Sequence, residues 1–278
     1  MKGTLYLVAT PIGNLGDLSA RAVQVLTDAD FVAAEDTRVT RGLLSHLGLH
    51  KPLVSYYEQN RRESAELILP RLLEGESVAL VTDAGTPAIS DPGEELVRLC
   101  VEHGVAVVPV PGPCALVCAL AASGLPTQRF CFEGFLAASG KSRREHLDAL
   151  RDEMRTIVLY EAPHKLVRTL HDLFEYLGDR DITLCRELTK LHEEIQRGTI
   201  TDALRRAEAE PPRGEYVLVI RGAPPQPEPT ATVGDALSLL ENYRLEGRSL
   251  KEAARLAARD TGYGKNELYD QYLEKRRL

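Results

Sequence analysis

With 278 residues, 44% of them hydrophobic, and no apolar run of about twenty, the chain has material for two compact domains and no candidate membrane span. A net charge of −7, from 34 basic and 41 acidic side chains, excludes a protein that coats nucleic acid non-specifically while leaving room for a local basic face. Five cysteines, an odd number without Cys-x-x-Cys spacing, sit mostly in apolar periodic segments and read as buried thiols rather than disulfide or metal chemistry.

Met1-Lys2-Gly3-Thr4 leads at once into the apolar run Leu5-Tyr6-Leu7-Val8-Ala9, without the regions of a signal peptide, so the expected compartment is cytoplasmic. That strand stops at Thr10-Pro11-Ile12-Gly13-Asn14-Leu15-Gly16-Asp17, a turn without the Gly-x-Gly-x-x-Gly spacing of a dinucleotide fold. Ser19 can cap a helix carrying Ala22, Val23, Val25 and Leu26 on one side, and Phe31-Val32-Ala33-Ala34 resumes a strand. Its end, Glu35-Asp36-Thr37-Arg38, lies where open parallel sheets bind ligands; the alternative for Asp36 and Thr37 is a plain helix cap. Residues 56–62, including Tyr56, Tyr57, Arg61 and Arg62, form a polar, aromatic and basic connection suited to stacking unpaired bases, or else an exposed loop with two half-buried tyrosines.

The chain is organised around residues 81–93, Val-Thr-Asp-Ala-Gly-Thr-Pro-Ala-Ile-Ser-Asp-Pro-Gly, which follow an apolar strand and precede a helix over 94–102. A strand that breaks into Gly and Pro before a helix start is the pattern of a ligand loop, because glycine lets a ligand approach the backbone. The next strand, over 105–110, ends similarly at Pro111-Gly112-Pro113-Cys114-Ala115 before a small-residue helix. From about residue 123 the character changes: strands are expected over 130–135, 156–160, 182–185, 195–199 and 216–220, the fourth at an edge. Helices are expected around Lys141 to Arg144 and from Pro163 to Gly178. His164 and His192 have no partner at metal spacing. A proline linker over 223–230 precedes three short helical patterns, over 233–243, 250–259 and 265–275, with the helix, glycine turn, helix rhythm of a small helix-turn-helix module. From Tyr243 onward basic residues outnumber acidic ones, which suggests contact with phosphate; a packing or dimerisation appendage is the alternative.

The turn at 10–17, Ala34-Glu35-Asp36-Thr37-Arg38, the stretch 83–93, Pro111-Gly112-Pro113, Tyr160-Glu161-Ala162-Pro163-His164 and Arg186-Glu187-Leu188-Thr189-Lys190 together closely resemble the ribosomal RNA small subunit methyltransferase I family of the tetrapyrrole methylase superfamily. The resemblance covers about residues 3–222, with the tail agreeing. It implies an α/β protein with two α/β domains, 1–122 and 123–222, a cleft between them, and a helical module over 231–278. It further implies transfer of a methyl group from S-adenosylmethionine to the ribose 2′-oxygen of a cytidine in the decoding region of 16S ribosomal RNA, on free RNA or the assembled small subunit, usually by a homodimer. Gly85 and Thr86 stand where the wider superfamily has a Gly-Asp-Pro loop, with Asp83 as an acid nearby. Ile89, Cys114, Ala115, Tyr160, Gly214 and Glu215 match further cofactor positions, and Ile12 belongs to the first loop.

Methyl transfer from a sulfonium is an in-line displacement, so the protein must align donor and acceptor and exclude water, and no metal is required. A ribose hydroxyl is a weak nucleophile, which a carboxylate or a depressed-pKa lysine could help deprotonate. Asp36, Glu187 and Lys190 are the candidates; an ion-pair network between domains or subunits is their alternative role. Arg38, Arg61, Arg62 and Arg186 are the expected RNA contacts. Competing functions are a methyltransferase of the same fold with a small-molecule acceptor such as a tetrapyrrole, and a non-catalytic RNA-binding assembly protein.

Overall fold

The computed structural model describes residues 1–225 and 232–275; the proline linker expected over 223–230 lies, from residue 226 on, outside the described residues. The chain divides into two compact units, Met1–Ala223 and Pro224–Leu278.

The first unit opens with a five-stranded sheet in the order β3-β2-β4-β1-β5, built from β1 (Thr4–Val8), β2 (Phe31–Ala34), β3 (Leu53–Ser55), β4 (Val78–Val81) and β5 (Ala106–Val110). Every pair in it is parallel. Strands β2 and β4 are buried along their whole length, which is why they read as unbroken apolar runs. Alternation sends Phe31 and Ala33 to one face and Val32 and Ala34 to the other, each face under its own apolar cluster. Helices α1 (Ala20–Asp28), α2 (Thr37–His46), α3 (Arg61–Glu74) and α4 (Glu94–Glu102) supply the crossovers. Ser19 caps α1 by accepting from Ala22 N, as its position suggested. Residues Arg61 and Arg62, expected in a long connection, instead open α3, and Tyr56 is fully buried in the core beneath it, out of reach of any stacking base. Pro109 is tolerated in β5 because that strand lies at the sheet edge.

Helix α5 (Ala115–Ser123) follows β5 of the first sheet but packs on strands β7 to β10 of a second one. That second sheet has the order β6-β7-β10-β8-β9, from β6 (Phe130–Phe135), β7 (Thr156–Glu161), β8 (Asp181–Arg186), β9 (Glu194–Thr199) and β10 (Tyr216–Ile220). Only β6 and β7 run parallel; the other pairs are antiparallel. Along β10, Val217 and Val219 join the cluster with Ile12, Leu116 and Leu120, while Leu218 and Ile220 join the outer core under α6 (Gly140–Leu150), α7 (Pro163–Leu177) and α8 (Ile200–Ala209). The α5 amino terminus therefore stands between the sheets. Truncating a fully buried residue such as Leu218 to Ala would cost about 2–5 kcal/mol.

The second unit holds α9 (Val233–Leu245), α10 (Leu250–Thr261) and α11 (Lys265–Lys275) around a core of Ala236, Leu240, Ala253, Ala254, Ala257, Leu268 and Tyr272. Thr232 and Asp235 form a reciprocal cap on α9, and Gly262 ends α10 in the left-handed conformation. No helix among the described residues is long and apolar enough to cross a membrane.

Candidate active site

Three loops from the carboxyl ends of β1, β4 and β5 are tied together. Thr10 and Gly85 exchange backbone hydrogen bonds of 2.8 and 3.0 Å, and the Thr10 hydroxyl donates to the Thr82 carbonyl at 3.0 Å. The Thr86 hydroxyl donates to the Pro113 carbonyl, also at 3.0 Å. Gly85 adopts φ +93°, and a Cβ there would press on Ile12 Cγ2 at 3.4 Å. Beyond it the loop folds sharply: Ala88 and Ser90, neither of them glycine, sit at φ 65° and 66°, and a Cβ at Gly93 would stand 2.8 Å from that of Ala88. Such strain persists only where surrounding contacts over-determine it, and it concentrates at functional loops.

Across from these loops, Tyr160 near the end of β7 accepts from the Leu116 backbone at 3.2 Å, so the α5 amino terminus is held by a phenol of the second sheet. Its ring meets Phe132 and Phe135 edge-on, and burial pushes its pKa up to about 12. Glu161 is almost fully buried; its carboxylate accepts from the Ala162 backbone and the Thr169 hydroxyl, and Thr169 in turn accepts from the buried Arg143. This network fixes the turn at which Pro163 starts α7. Neither Cys114 nor Ala162 caps its helix with a side chain, so besides Leu116 N, which Tyr160 holds, and Lys165 N, which bonds the Ala162 carbonyl, backbone donors remain at the first turns of α5 and α7.

Between the two walls lies a cavity of about 550 Å³. Of the expected cofactor residues, Ile12, Asp83, Gly85, Thr86, Ile89, Cys114, Ala115, Tyr160 and Glu215 line it. Gly214 is not among the lining residues; at φ +77° it packs against the Glu187 carboxylate, which a Cβ there would meet at 2.6 Å. Sequence reasoning assigned no role in the cavity to Glu35, Thr82, Asp91, Phe135, Glu161, His164, Leu188 and Tyr216, all of which line it. The available signal was their position at strand ends, in the same polar runs as the residues chosen.

The cavity's acids are not equivalent. Glu35 accepts from the Thr82 hydroxyl at 2.7 Å, and Asp83 accepts from the Asp36 backbone at 3.0 Å. Burial, then repulsion from Glu35 and Asp36, raises the Asp83 carboxyl above its ordinary value despite the bond from the Asp36 N–H. Burial and the charge of Glu35 raise Asp91 further, to about 6. No group of His, Cys, Asp and Glu among the described residues could hold a metal ion.

Asp36, Glu187 and Lys190 stand outside the lining. Asp36 caps α2 through Arg38 N and pairs with the Arg38 guanidinium at 2.6 Å; those bonds from Arg38 pull its carboxyl down to about 2. The Lys190 ammonium bridges Glu187 at 2.9 Å and Glu215 at 3.0 Å. Burial alone would lower its pKa, but those hydrogen bonds outweigh burial and the lysine is raised rather than depressed. Its stem crosses Gly13 of the first loop, where a Cβ would stand 2.3 Å from Lys190 Cγ. The expected RNA contacts also carry acid partners: Arg38 with Asp36, Arg61 with Glu58 and Glu95, Arg62 with Glu95, and Arg186 with Glu194. Such exposed pairs are worth about 0–1 kcal/mol each, so phosphate can displace the acid at little cost.

The sequence profile described as Tetrapyrrole (Corrin/Porphyrin) Methylases matches residues 4–204, and one described as the RsmI C-terminal HTH domain matches residues 231–276. A protein of Synechocystis sp. named ribosomal RNA small subunit methyltransferase I is 46% identical over 98% of both chains. The chain belongs to the ribosomal RNA small subunit methyltransferase I family. Relatives bearing the same name from Escherichia coli O157:H7 and Bacillus subtilis are 46% and 44% identical, covering 99% and 97% of this chain and 96% and 94% of their own. Among solved structures, a diphthine synthase is similar with TM-score 0.61 at 16% identity, covering 79% of this chain and 90% of that one. A uroporphyrin-III C-methyltransferase from Thermus thermophilus complexed with S-adenyl homocysteine is similar with TM-score 0.55 at 22% identity, covering 78% of this chain and 97% of its own. At those identities the likeness concerns the fold alone, and that fold is the one described above.

Proposed function

We propose that the protein transfers the methyl group of S-adenosylmethionine to small-subunit ribosomal RNA, and that the acceptor is the ribose 2′-oxygen of a cytidine in the decoding region. The observation carrying this reading is the cavity, whose chemistry fits each part of the cofactor. Ile12, Ile89, Leu188 and Val217 offer an apolar bed for the adenine. Glu35, Asp83 and Asp91 offer acceptors for ribose hydroxyls and charge opposite to the sulfonium and ammonium. The uncapped starts of α5 and α7 suit a carboxylate. A volume near 550 Å³ lies within the range of small-molecule sites. The bound cofactor supplies an electrophilic methyl. The chain's residues orient it, shield it from water and hold the acceptor oxygen in line.

Arg38, Arg61, Arg62 and Arg186 would exchange their acid partners for phosphate, and the second unit carries a basic face of its own. A ribosomal acceptor makes the cytoplasm the compartment of the reaction, and a homodimer, usual in the family, belongs to the same proposal. The test is transfer of label from S-adenosylmethionine to isolated small subunits, to naked 16S RNA and to a porphyrinogen, with the labelled nucleotide mapped. Label in the cytidine ribose supports the reading, and label confined to the porphyrinogen overturns it. RNA binding without any transfer would favour an assembly role.

A further inference from the structure

We infer that a second cavity, on the outer face of the second sheet, receives the base of an unpaired nucleotide of the RNA substrate, and that guanine is the base its polar groups suit. This rests on the methyl-transfer reading and extends it to substrate recognition. The cavity measures about 480 Å³, within the range of small-molecule sites, and lies between the sheet, α8 and residues 209–212. The register of the sheet ties it to the first cavity. Tyr216 of β10 pairs with Glu161 of β7 on one side and with Arg186 of β8 on the other, and Arg186 pairs in turn with Glu194 of β9. Residues directly opposite one another share a face, so these four form one row across the strands. Glu161 and Tyr216 line the first cavity; Tyr216, Arg186 and Glu194 line the second. The two cavities are therefore neighbours, with Tyr216 as their common wall.

Two observations point to a ligand of this kind. Arg186 Nε is shut away from solvent without a hydrogen-bond partner, since the Glu194 carboxylate, 3.4 Å away, forms an ion pair with it but lacks the geometry of a bond. A buried donor left unmade is a cost that a bound acceptor removes. The lining is also balanced in charge, with Arg186 and Arg206 set against Glu194 and Glu210. A plain anion would meet two carboxylates, whereas a neutral group carrying both donors and acceptors is matched. Leu184, Pro212 and Tyr216 supply surface for its flat faces. Unpaired bases are recognised in this way, splayed out, stacked and bonded along the Watson–Crick edge. Gln196 donates to one oxygen of Glu194 and so steadies the carboxylate. With Arg186 donating to the guanine O6, the Glu194 oxygens accept from N1–H and N2–H, and guanine alone among the four bases offers a carboxylate two adjacent donors. Arg186 has five donors, enough for that carbonyl and for a phosphate of the same strand.

The test compares wild type, Glu194→Gln and Ala207→Phe, the last filling the cavity from α8, where Ala207 lines it. Each binds 16S RNA with the native sequence and with single base substitutions at the positions flanking the methylated nucleotide, while calorimetry follows S-adenosylmethionine and single-turnover assays follow transfer. In wild type, changing guanine to adenine at one flanking position should weaken RNA binding about tenfold, the lower end of the scale for losing a bidentate base contact. Both variants should bind native RNA about tenfold more weakly and no longer distinguish guanine from adenine there, with cofactor affinity within threefold of wild type. The inference is overturned if both variants keep the base preference of wild type, or if wild type has none. A loss that is equal for every base, with a shallower salt dependence, would make the occupant a phosphate and overturn the base. Preference for another base, abolished by the variants, would overturn guanine. Should Ala207→Phe fail to unfold cooperatively, Glu194→Gln decides alone. A wild type that binds RNA with the guanine preference yet transfers no label would overturn the methyl-transfer reading and leave the base site standing; transfer without the preference would do the reverse.

Discussion

Asp91 ties chemistry to stability at the scale of a single carboxyl. Its folded-state pKa is raised from 3.8 to about 6, so the folded protein holds this proton more tightly than the unfolded chain. The favourable contribution is fully present below about pH 4 and is lost as pH rises through 6. Asp91→Asn should therefore match wild-type stability near pH 4 and exceed it at pH 7.5 by clearly less than the roughly 3 kcal/mol that two pKa units would set, because the partly exposed carboxyl is screened by solvent. Urea unfolding of both proteins at the two pH values measures this, and a variant less stable at pH 7.5 would contradict the burial of a charge at this position. Gly85 gives the companion prediction: at φ +93° a valine is strained, and its Cβ presses on Ile12 of the cavity wall. Gly85→Val should weaken S-adenosylmethionine binding at least tenfold by calorimetry while the unfolding transition stays cooperative, and unchanged affinity in the folded variant would dismiss the loop as a cofactor cradle.

Among the elements, the loop of residues 186–193 is the one whose role the structure redefines. Lys190 pins Glu187, Glu215 and the first loop at Gly13, and Glu187 and Thr189 take left-handed conformations at φ 51° and 67° to make the turn. Lys190→Ala should cost about 1 kcal/mol of stability, as expected for a partly exposed pair, with a single-turnover rate within threefold of wild type. A hundredfold slower rate in folded protein would return the lysine to the chemistry. The strands of both sheets were largely legible because most are short apolar runs set off by polar, Gly or Pro residues, with β2, β4 and β10 buried along their whole length. Strand β3 was not, being three residues long and half-buried at an edge. Helix α3 hid behind Pro70 and a buried face that includes Ser64, and α8 behind four charged positions, although its Thr199 to Asp202 capping box was a readable signal. That the loops after β1, β4 and β5 would line one cavity could be read from their Gly/Pro composition at strand ends. The acid cluster could not, because Glu35 and Asp91 are brought together by the packing of β2 beside β4, and nothing in local sequence says which carboxylates that packing will gather.

The molecule as a whole carries seven more acidic than basic charges yet is read as acting on RNA, so its phosphate-binding cations must be concentrated. In the second unit, Lys251, Arg255 and Arg259 are exposed on α10 at successive four-residue steps, on the side away from the buried Ala253, Ala254 and Ala257. That spacing makes one basic stripe along the helix. Arg259 leans on Asp260, an exposed pair that phosphate can replace. Replacing all three cations with glutamine leaves the apolar core and the caps of the unit untouched, so the fold should persist. Each cation that no longer neutralises a phosphate should lower the slope of log affinity against log salt by about 0.7 to 0.9, giving a total near 2 to 3 if all three engage RNA. Affinity for 16S RNA should fall most at low salt and converge on wild type as salt rises, while S-adenosylmethionine binding to the first unit stays unchanged. Identical salt slopes for the variant and wild type would show that this stripe faces solvent or another protein surface. RNA binding would then rest with the arginines of the first unit.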